Sequence, residues 1–214
     1  MGVERALIAE WTEGWAISRG KPAPVPVHGG FYLLDGRPQQ KARYVFPELR
    51  EEVVRELTAA IDEPFVYLKI CAPRAAVAPL LPAAWRIADP GFIMTAGARA
   101  LDGPGPGAMP QGHVASLREE GGVIALAVAD EAGAPAARGR LVLRGGLAVF
   151  DQIETEERHR RRGLGSAVMR ALGAEATRRG AGRGILVATE MGRALYASLG
   201  WESLSDYTSA FIPG

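Results

Sequence analysis

A single cysteine, Cys71, in a chain of 214 residues leaves no partner for an intrachain disulfide. No run approaches the roughly 20 uninterrupted apolar residues needed to cross a bilayer. The opening stretch, Met1 to Glu10, carries charges where a secretory signal needs an apolar run. A soluble protein of the reducing cytoplasm, with no membrane partner, is expected. Neither sign of charge prevails, since 25 Lys and Arg stand against 24 Asp and Glu. No global field therefore recommends nucleic acid or an anionic surface as partner. Basic and aromatic residues also fail to interleave as a single-strand stacking surface requires, which sets RNA aside. With three histidines and one cysteine, no metal site is expected.

What the chain does have is apolar residues, 48% of the total, enough for one large domain or two small ones. Glycine and proline crowd the segment from Asp102 to Gly112, where neither helix nor strand can persist. The sequence accordingly divides into 1–101, a linker or loop at 102–112, and 113–214. After the loop, Val123 to Ala129, Gly139 to Leu143 and Leu147 to Ile153 read as an antiparallel meander turning at Gly145-Gly146. Leu164, Val168, Ala171 and Leu172 then recur at helical spacing. Ile185 to Ala188 reads as a buried strand, Gly192 to Leu199 as a short helix and Tyr207 to Ile212 as a final strand. The fold class is α/β with a mixed sheet.

In the first half, Trp11 and Trp15 lie in a helical start, and strands are expected near Phe31 to Leu34 and Ala42 to Phe46. A helix follows with Val53, Val54, Leu57 and Ile61 on its apolar stripe, then a strand from Phe65 to Ile70 and a short helix from Arg74 to Leu81. Aligning Trp85 with Trp201 sets strand on strand and short helix on short helix, so one succession of elements occurs twice.

The segment Arg160-Arg161-Arg162-Gly163-Leu164-Gly165-Ser166 separates a strand from a helix and reads as a phosphate-binding turn. Gly163 and Gly165 let backbone N–H groups approach a ligand, and the helix start adds unpaired donors and partial positive charge. A Walker A loop would need Gly-Lys-Ser/Thr, and a dinucleotide turn would need a third Gly where Val168 stands, so both are excluded. The spacing Arg-x-x-Gly-x-Gly, together with Ala194-Leu195-Tyr196-Ala197-Ser198-Leu199-Gly200-Trp201 downstream, resembles the GNAT superfamily of acetyl-CoA-dependent N-acetyltransferases.

That resemblance implies a GNAT fold in the second half; the repeated succession makes the first half a degenerate GNAT-like half or an unrelated accessory one, and without Arg-x-x-Gly-x-Gly, and with Leu80 at the place of Tyr196, it should bind no CoA itself. The resemblance implies acetyl-CoA as co-substrate and an amine acceptor, the acetyl group passing by direct attack in a ternary complex. An acyl-CoA-binding module without turnover is the alternative. The pyrophosphate falls to Arg160, Arg161, Arg162, Gly163, Leu164, Gly165 and Ser166, and the pantetheine arm to Ile153 and Thr155. Thr189 stands where many members have an asparagine for the pantetheine amides. Tyr196 matches the residue that gives a proton to the departing thiolate. Asp151 and Glu154 are the candidates for general base, with Asp151 preferred and Glu154 equally readable as the partner of a loop arginine; in a regular strand they face opposite sides, so both reach one cleft only if a bulge intervenes. Trp11, Trp15, Phe31, Tyr32 and Trp85 are candidates for an acceptor wall. Monomer and homodimer are both open.

Overall fold

Period-2 and period-3.6 patterns alternate along the chain, and the computed structural model, which describes residues 2–214, follows them there into thirteen strands and six α-helices. Helix α1 (Arg5–Ser18) is followed by strands β1 (Val25–Val27), β2 (Gly30–Arg37) and β3 (Gln40–Phe46). Next come α2 (Glu51–Ala60), β4 (Val66–Ile70), the short α3 (Arg74–Val77), β5 (Arg86–Ile87), β6 (Gly91–Gly97) and α4 (Ala98–Leu101). Beyond 102–112, which holds no helix or strand, lie β7 (His113–Glu120), β8 (Val123–Asp130), β9 (Pro135–Arg144) and β10 (Leu147–Thr155). The chain closes with α5 (Leu164–Arg178), β11 (Arg183–Thr189), α6 (Glu190–Ser198), β12 (Glu202–Asp206) and β13 (Thr208–Phe211).

These strands form two mixed sheets, one ordered β1-β2-β3-β4-β13-β5 and the other β12-β6-β11-β10-β9-β8-β7. The succession β3, α2, β4, α3, β5, β6 repeats as β10, α5, β11, α6, β12, β13, with β3 parallel to β4 and β10 parallel to β11. Trp85 and Trp201 sit at matching, buried places ahead of β5 and β12. The last strand of each succession is exchanged. β6 lies antiparallel between β11 and β12, while β13 lies antiparallel between β4 and β5. The sheets are thus joined through strands that cross near Gly91 and Tyr207, where the Tyr207 N–H donates to the Gly91 carbonyl at 2.8 Å. A Cβ at Gly91 would stand 3.1 Å from the Tyr207 carbonyl oxygen, so this crossing uses a residue without one.

Helix α1 mediates between the sheets. Leu7 and Ile8, then Trp11 and Trp15, follow at helical spacing, and this stripe packs with Phe31, Leu33 and Val45 of the first sheet and Val142, Val149 and Ile185 of the second. Contact is close, since a Cβ on Gly14 would lie 2.6 Å from the Val149 side chain. On the opposite face of the second sheet, α5 buries Leu164, Val168, Ala171, Leu172 and Ala176. Gly180, at φ 85°, breaks that helix in the left-handed region. Helix α2 opens with Glu51 and Glu52, which suit the positive N-terminal end, and its buried Val53, Val54 and Leu57 pack with Leu68, Ile70 and Trp85.

Candidate functional site

Strands β10 and β11 are bonded only where Leu147–Val149 meet Arg183–Ile185, yet β10 continues to Thr155 and β11 to Thr189. Past Val149 they diverge, leaving two strand edges facing one another without a ladder. The cause lies partly in β10: pairing with β9 shifts between Asp151↔Arg140 and Glu154↔Arg138, so Gln152 and Ile153 oppose Gly139 alone. Gln152 takes φ 53°, an uncommon conformation for a residue with a side chain. A Cβ on Gly139 would stand 2.7 Å from Ile153 Cδ1, so the glycine makes room for the bulged residue.

Two cavities open from this divergence. The larger, about 950 Å³, runs from Ile153 and Thr155 past Thr189, Leu195 and Tyr196 to the turn at Arg160, Arg161, Gly163, Leu164, Gly165 and Ser166. Among the described residues, none of the backbone N–H groups from Arg161 to Ser166 meets an intrachain acceptor. Gly163, at φ 78°, starts α5 in the left-handed region without a side-chain cap. The helix therefore presents its free donors to the cavity, the arrangement that binds phosphate. A Cβ on Gly165 would lie 2.9 Å from Leu195 Cδ2, so the passage there is only as wide as a glycine allows.

The second cavity, about 440 Å³, lies across the bulge at the seam between the sheets. Ile153, Glu154, Thr189 and Tyr196 line both. Trp11, Trp15, Arg19, Arg43, Lys69, Asp151 and Tyr207 complete much of its wall. Tyr196 is 7% exposed, and burial pushes its phenol up to about 12, so it stays protonated at neutral pH.

Most of the residues singled out in the sequence come together here. Ile153, Glu154, Thr155, Arg160, Arg161, Gly163, Leu164, Gly165, Ser166, Thr189 and Tyr196 share the larger cavity, whereas Arg162 does not line it. The bulge brings both carboxylates to the smaller one, in different states. Asp151 accepts from Arg19 through both oxygens, at 2.8 and 2.9 Å, and from the Ser18 hydroxyl at 2.8 Å. Glu154 is exposed and accepts from Arg138 through Oε2 alone. The Thr189 hydroxyl caps α6, accepting from the Gly192 N–H at 3.2 Å, and so serves the helix as well as the cavity wall. Of the aromatic candidates, Trp11 and Trp15 line the smaller cavity, Phe31 and Trp85 fill cores, and Tyr32 packs on Tyr44. His159 is buried behind the turn, 3.4 Å from Asp130 and from His113.

The matching place in the first sheet is closed. β3 and β4 pair from Ala42↔Val66 through Phe46↔Ile70, and the Cys71 N–H continues to the Phe46 carbonyl. No divergence separates them, and Pro47 to Arg50, which lead into α2, contain no glycine.

Residues that the sequence reading passed over are Arg19, Arg43, Lys69 and Tyr207. Lys69 carried a signal, a charge inside the otherwise apolar strand Val66-Tyr67-Leu68-Lys69-Ile70.

The family model of the acetyltransferase (GNAT) family matches residues 102–201. No curated protein matches the chain. Among solved structures, a GCN5-related N-acetyltransferase from Kribbella flavida is similar over 100% of this chain and 97% of its own, at 18% identity and a TM-score of 0.69. A GCN5-related N-acetyltransferase from Sphaerobacter thermophilus is similar over 87% of this chain and 78% of its own, at 13% identity and a TM-score of 0.60. A tandem GNAT protein from the clavulanic acid biosynthesis pathway is similar over 85% and 78%, at 16% identity and a TM-score of 0.56. At these identities the structures speak to the fold. The chain therefore carries, at residues 102–201, a domain of the acetyltransferase (GNAT) family within an architecture that has the GNAT fold almost throughout.

Proposed function

We propose that the protein is an N-acetyltransferase that takes acetyl-CoA in the larger cavity and an amine in the smaller one. The observation that carries this reading is the junction of the two cavities at Tyr196, Thr189 and the bulge, with phosphate-binding donors at one end only. The N–H groups of Arg161 to Ser166 hold the pyrophosphate, helped by the Arg160 and Arg161 side chains at the rim, and the unladdered edge of β10 at Ile153 and Thr155 pairs with the pantetheine amides.

The amine nitrogen attacks the thioester carbonyl carbon, a C–N bond forms and the C–S bond breaks. Glu154 receives the proton that the amine loses, because its Oε1 is not taken up by Arg138. Asp151, with both oxygens engaged, fixes Arg19 and the wall of the acceptor cavity instead of acting as base. The sulfur leaves as the CoA thiolate, and the Tyr196 hydroxyl keeps its proton and donates a hydrogen bond to it as the charge develops. Residues 1–101 act as a degenerate GNAT-like repeat without a donor site, supported by the closed β3/β4 pair, and 113–214 as the catalytic half across the 102–112 loop.

Calorimetric titration with acetyl-CoA, using ATP as a phosphate-bearing control, tests the donor site. One site per chain for acetyl-CoA alone, followed by turnover in an amine panel, is the expected result. Binding without turnover of any amine would favour the non-catalytic acyl-CoA module, and two sites would refute the assignment of the first half.

A further inference from the structure

The smaller cavity has a charge arrangement that the acetyl donor does not use. Its wall is drawn from both halves: Arg19 from the end of α1, Arg43 from β3, Lys69 from β4, and Tyr207 and Ser209 at and beyond the strand crossing. Three cations line it, and behind Arg43 a fourth, Arg37, shares the carboxylate of Asp35 with it. Against them stand two inner carboxylates, Asp35 and Asp151. Asp35, 1% exposed, is fully engaged by Arg37 and Arg43, whose guanidinium groups hold its carboxyl below the usual range against the opposing effect of burial. Asp151 is engaged by Arg19. The other acids that line the cavity, Asp89 and Glu154, are exposed, and Glu154 is paired with Arg138 through Oε2.

Lys69 is thus the cation without a carboxylate among the described residues. Its Nζ donates to the Ser209 hydroxyl at 3.0 Å and otherwise faces the rings of Tyr67 and Tyr207, at 5.0 and 5.8 Å. Two further donors, in residues of this wall but themselves closed off from solvent, lack an acceptor. Arg43 Nε, in a side chain 6% exposed and stacked 4.0 Å over Trp15, meets no oxygen, and neither does the Tyr207 hydroxyl, in a residue 3% exposed. Buried donors without acceptors are rare, and each costs free energy unless a ligand or an ordered water supplies one. An ammonium without a carboxylate, with two orphan donors beside it, wants a compact anion, and a carboxylate is one that both the ammonium and neutral donors can bind.

We infer that the amine accepted by this protein also bears a carboxylate, which Lys69 and its neighbours Tyr207 and Arg43 bind at the inner end of the acceptor cavity while the amine faces Tyr196 and the bulge. The acceptor is then a small amino acid or a related amino carboxylate, not a polyamine. Burial, with the Arg43 charge next in influence, holds the Lys69 ammonium down to about 7, and a bound carboxylate opposes that shift. The inference rests on the acetyltransferase reading above, and its test separates the two.

The experiment pairs amino acids with their decarboxylated amines as acceptors for the full-length protein, with acetyl-CoA affinity measured in parallel. Expected is turnover of at least one amino acid with kcat/KM well above that of its decarboxylated counterpart. Lys69→Met, which keeps the apolar stem, should raise KM for that amino acid about 10- to 100-fold, the worth of a hydrogen bond to a charged group, and should shrink the preference by the same factor. Tyr207→Phe serves as a second, milder variant should the first fold poorly. Direct binding of the same amino acids, read by ligand-observed NMR without acetyl-CoA, supplies a readout independent of turnover. Equal or better use of the decarboxylated amines, or no amino-acid binding by NMR while acetyl-CoA still binds, would overturn the inference and leave the donor reading standing. Failure of acetyl-CoA itself to bind would strike the donor reading, and the NMR titration would still decide the carboxylate site.

Discussion

Replacing Tyr196 by phenylalanine removes one oxygen from a ring packed 6.2 Å from Trp201 and shared by both cavities. No protein group hydrogen-bonds that hydroxyl among the described side-chain contacts, so the substitution should cost little stability. Its kinetic effect depends on what the phenol does. Burial pushes the Tyr196 phenol up to about 12, whereas an ordinary thiol lies near 8.5, so handing a proton fully to the departing thiolate would run uphill by about 5 kcal/mol. The smaller and sufficient role is a hydrogen bond to sulfur as negative charge develops, worth about 1.5–3 kcal/mol when one partner is charged. The expected loss in kcat is therefore about 10- to 100-fold, with the dissociation constant for acetyl-CoA nearly unchanged. Steady-state kinetics beside calorimetry make the comparison. A fall in kcat below threefold, or a loss of affinity that accounts for the whole effect, would refute the reasoning. Because the phenol remains protonated through the accessible range, the wild-type rate should also show no alkaline limb below about pH 10 attributable to this residue.

Glu154→Gln should lower kcat/KM roughly 100-fold near neutral pH and recover part of it as the free amine becomes abundant at higher pH; an unaltered profile would move the base elsewhere. Gly165→Ala should leave stability close to wild type, since the gain in helix propensity of about 1 kcal/mol offsets the displacement of Leu195, which the new Cβ would approach to 2.9 Å. The same displacement narrows the larger cavity, and acetyl-CoA affinity should fall about tenfold, the effect of roughly 1.4 kcal/mol of overpacking; unchanged calorimetric affinity would show that the passage is not used. Lys69 contributes a pH dependence of stability with a definite sign. Its folded value, about 7, lies below the ordinary 10.5, so between those limits the unfolded chain holds the extra proton and folding becomes more favourable as pH rises. Arg43, Arg37, Arg19 and Asp35 all face this ammonium, so the slope belongs to the cluster. Denaturation midpoints of wild type should gain on those of Lys69→Met from pH 7 to pH 10, and parallel curves would contradict the buried ammonium.

Local pattern made much of this protein legible before any coordinates. The stripe Leu164, Val168, Ala171 and Leu172 is buried as spaced, and the glycine turn, Tyr196 and the diverging strand fall on one cavity. The carboxylate pair was readable only conditionally, because a bulge shows itself in the register of β9 against β10 and not in the composition of either. What escaped was long-range. β6 has a pattern typical of a buried strand, but its neighbours β11 and β12 lie about a hundred residues further on, and side-chain alternation carries no information about which edge a strand will join. The edge strands β7 and β12 escaped for the opposite reason: most of their residues stay exposed, so their periodicity is weak. The smaller cavity is assembled across that same exchange, which is why Lys69, Arg43 and Tyr207 could not be joined from sequence spacing alone.

The crossing of β6 and β13 also governs how the molecule can be made. Strand β5 is bonded to its sheet solely through β13 among the described residues, and β13 occupies the slot between β4 and β5. As the chain emerges from the ribosome, its first sheet cannot close until Phe211 is available, although every other strand of it precedes residue 88. The early half must wait with an open edge, exposed to wrong partners, while β6 waits in turn for β11 and β12. Removing the last few residues would therefore injure the beginning of the protein, and two separately made halves would complete each other only by trading strands.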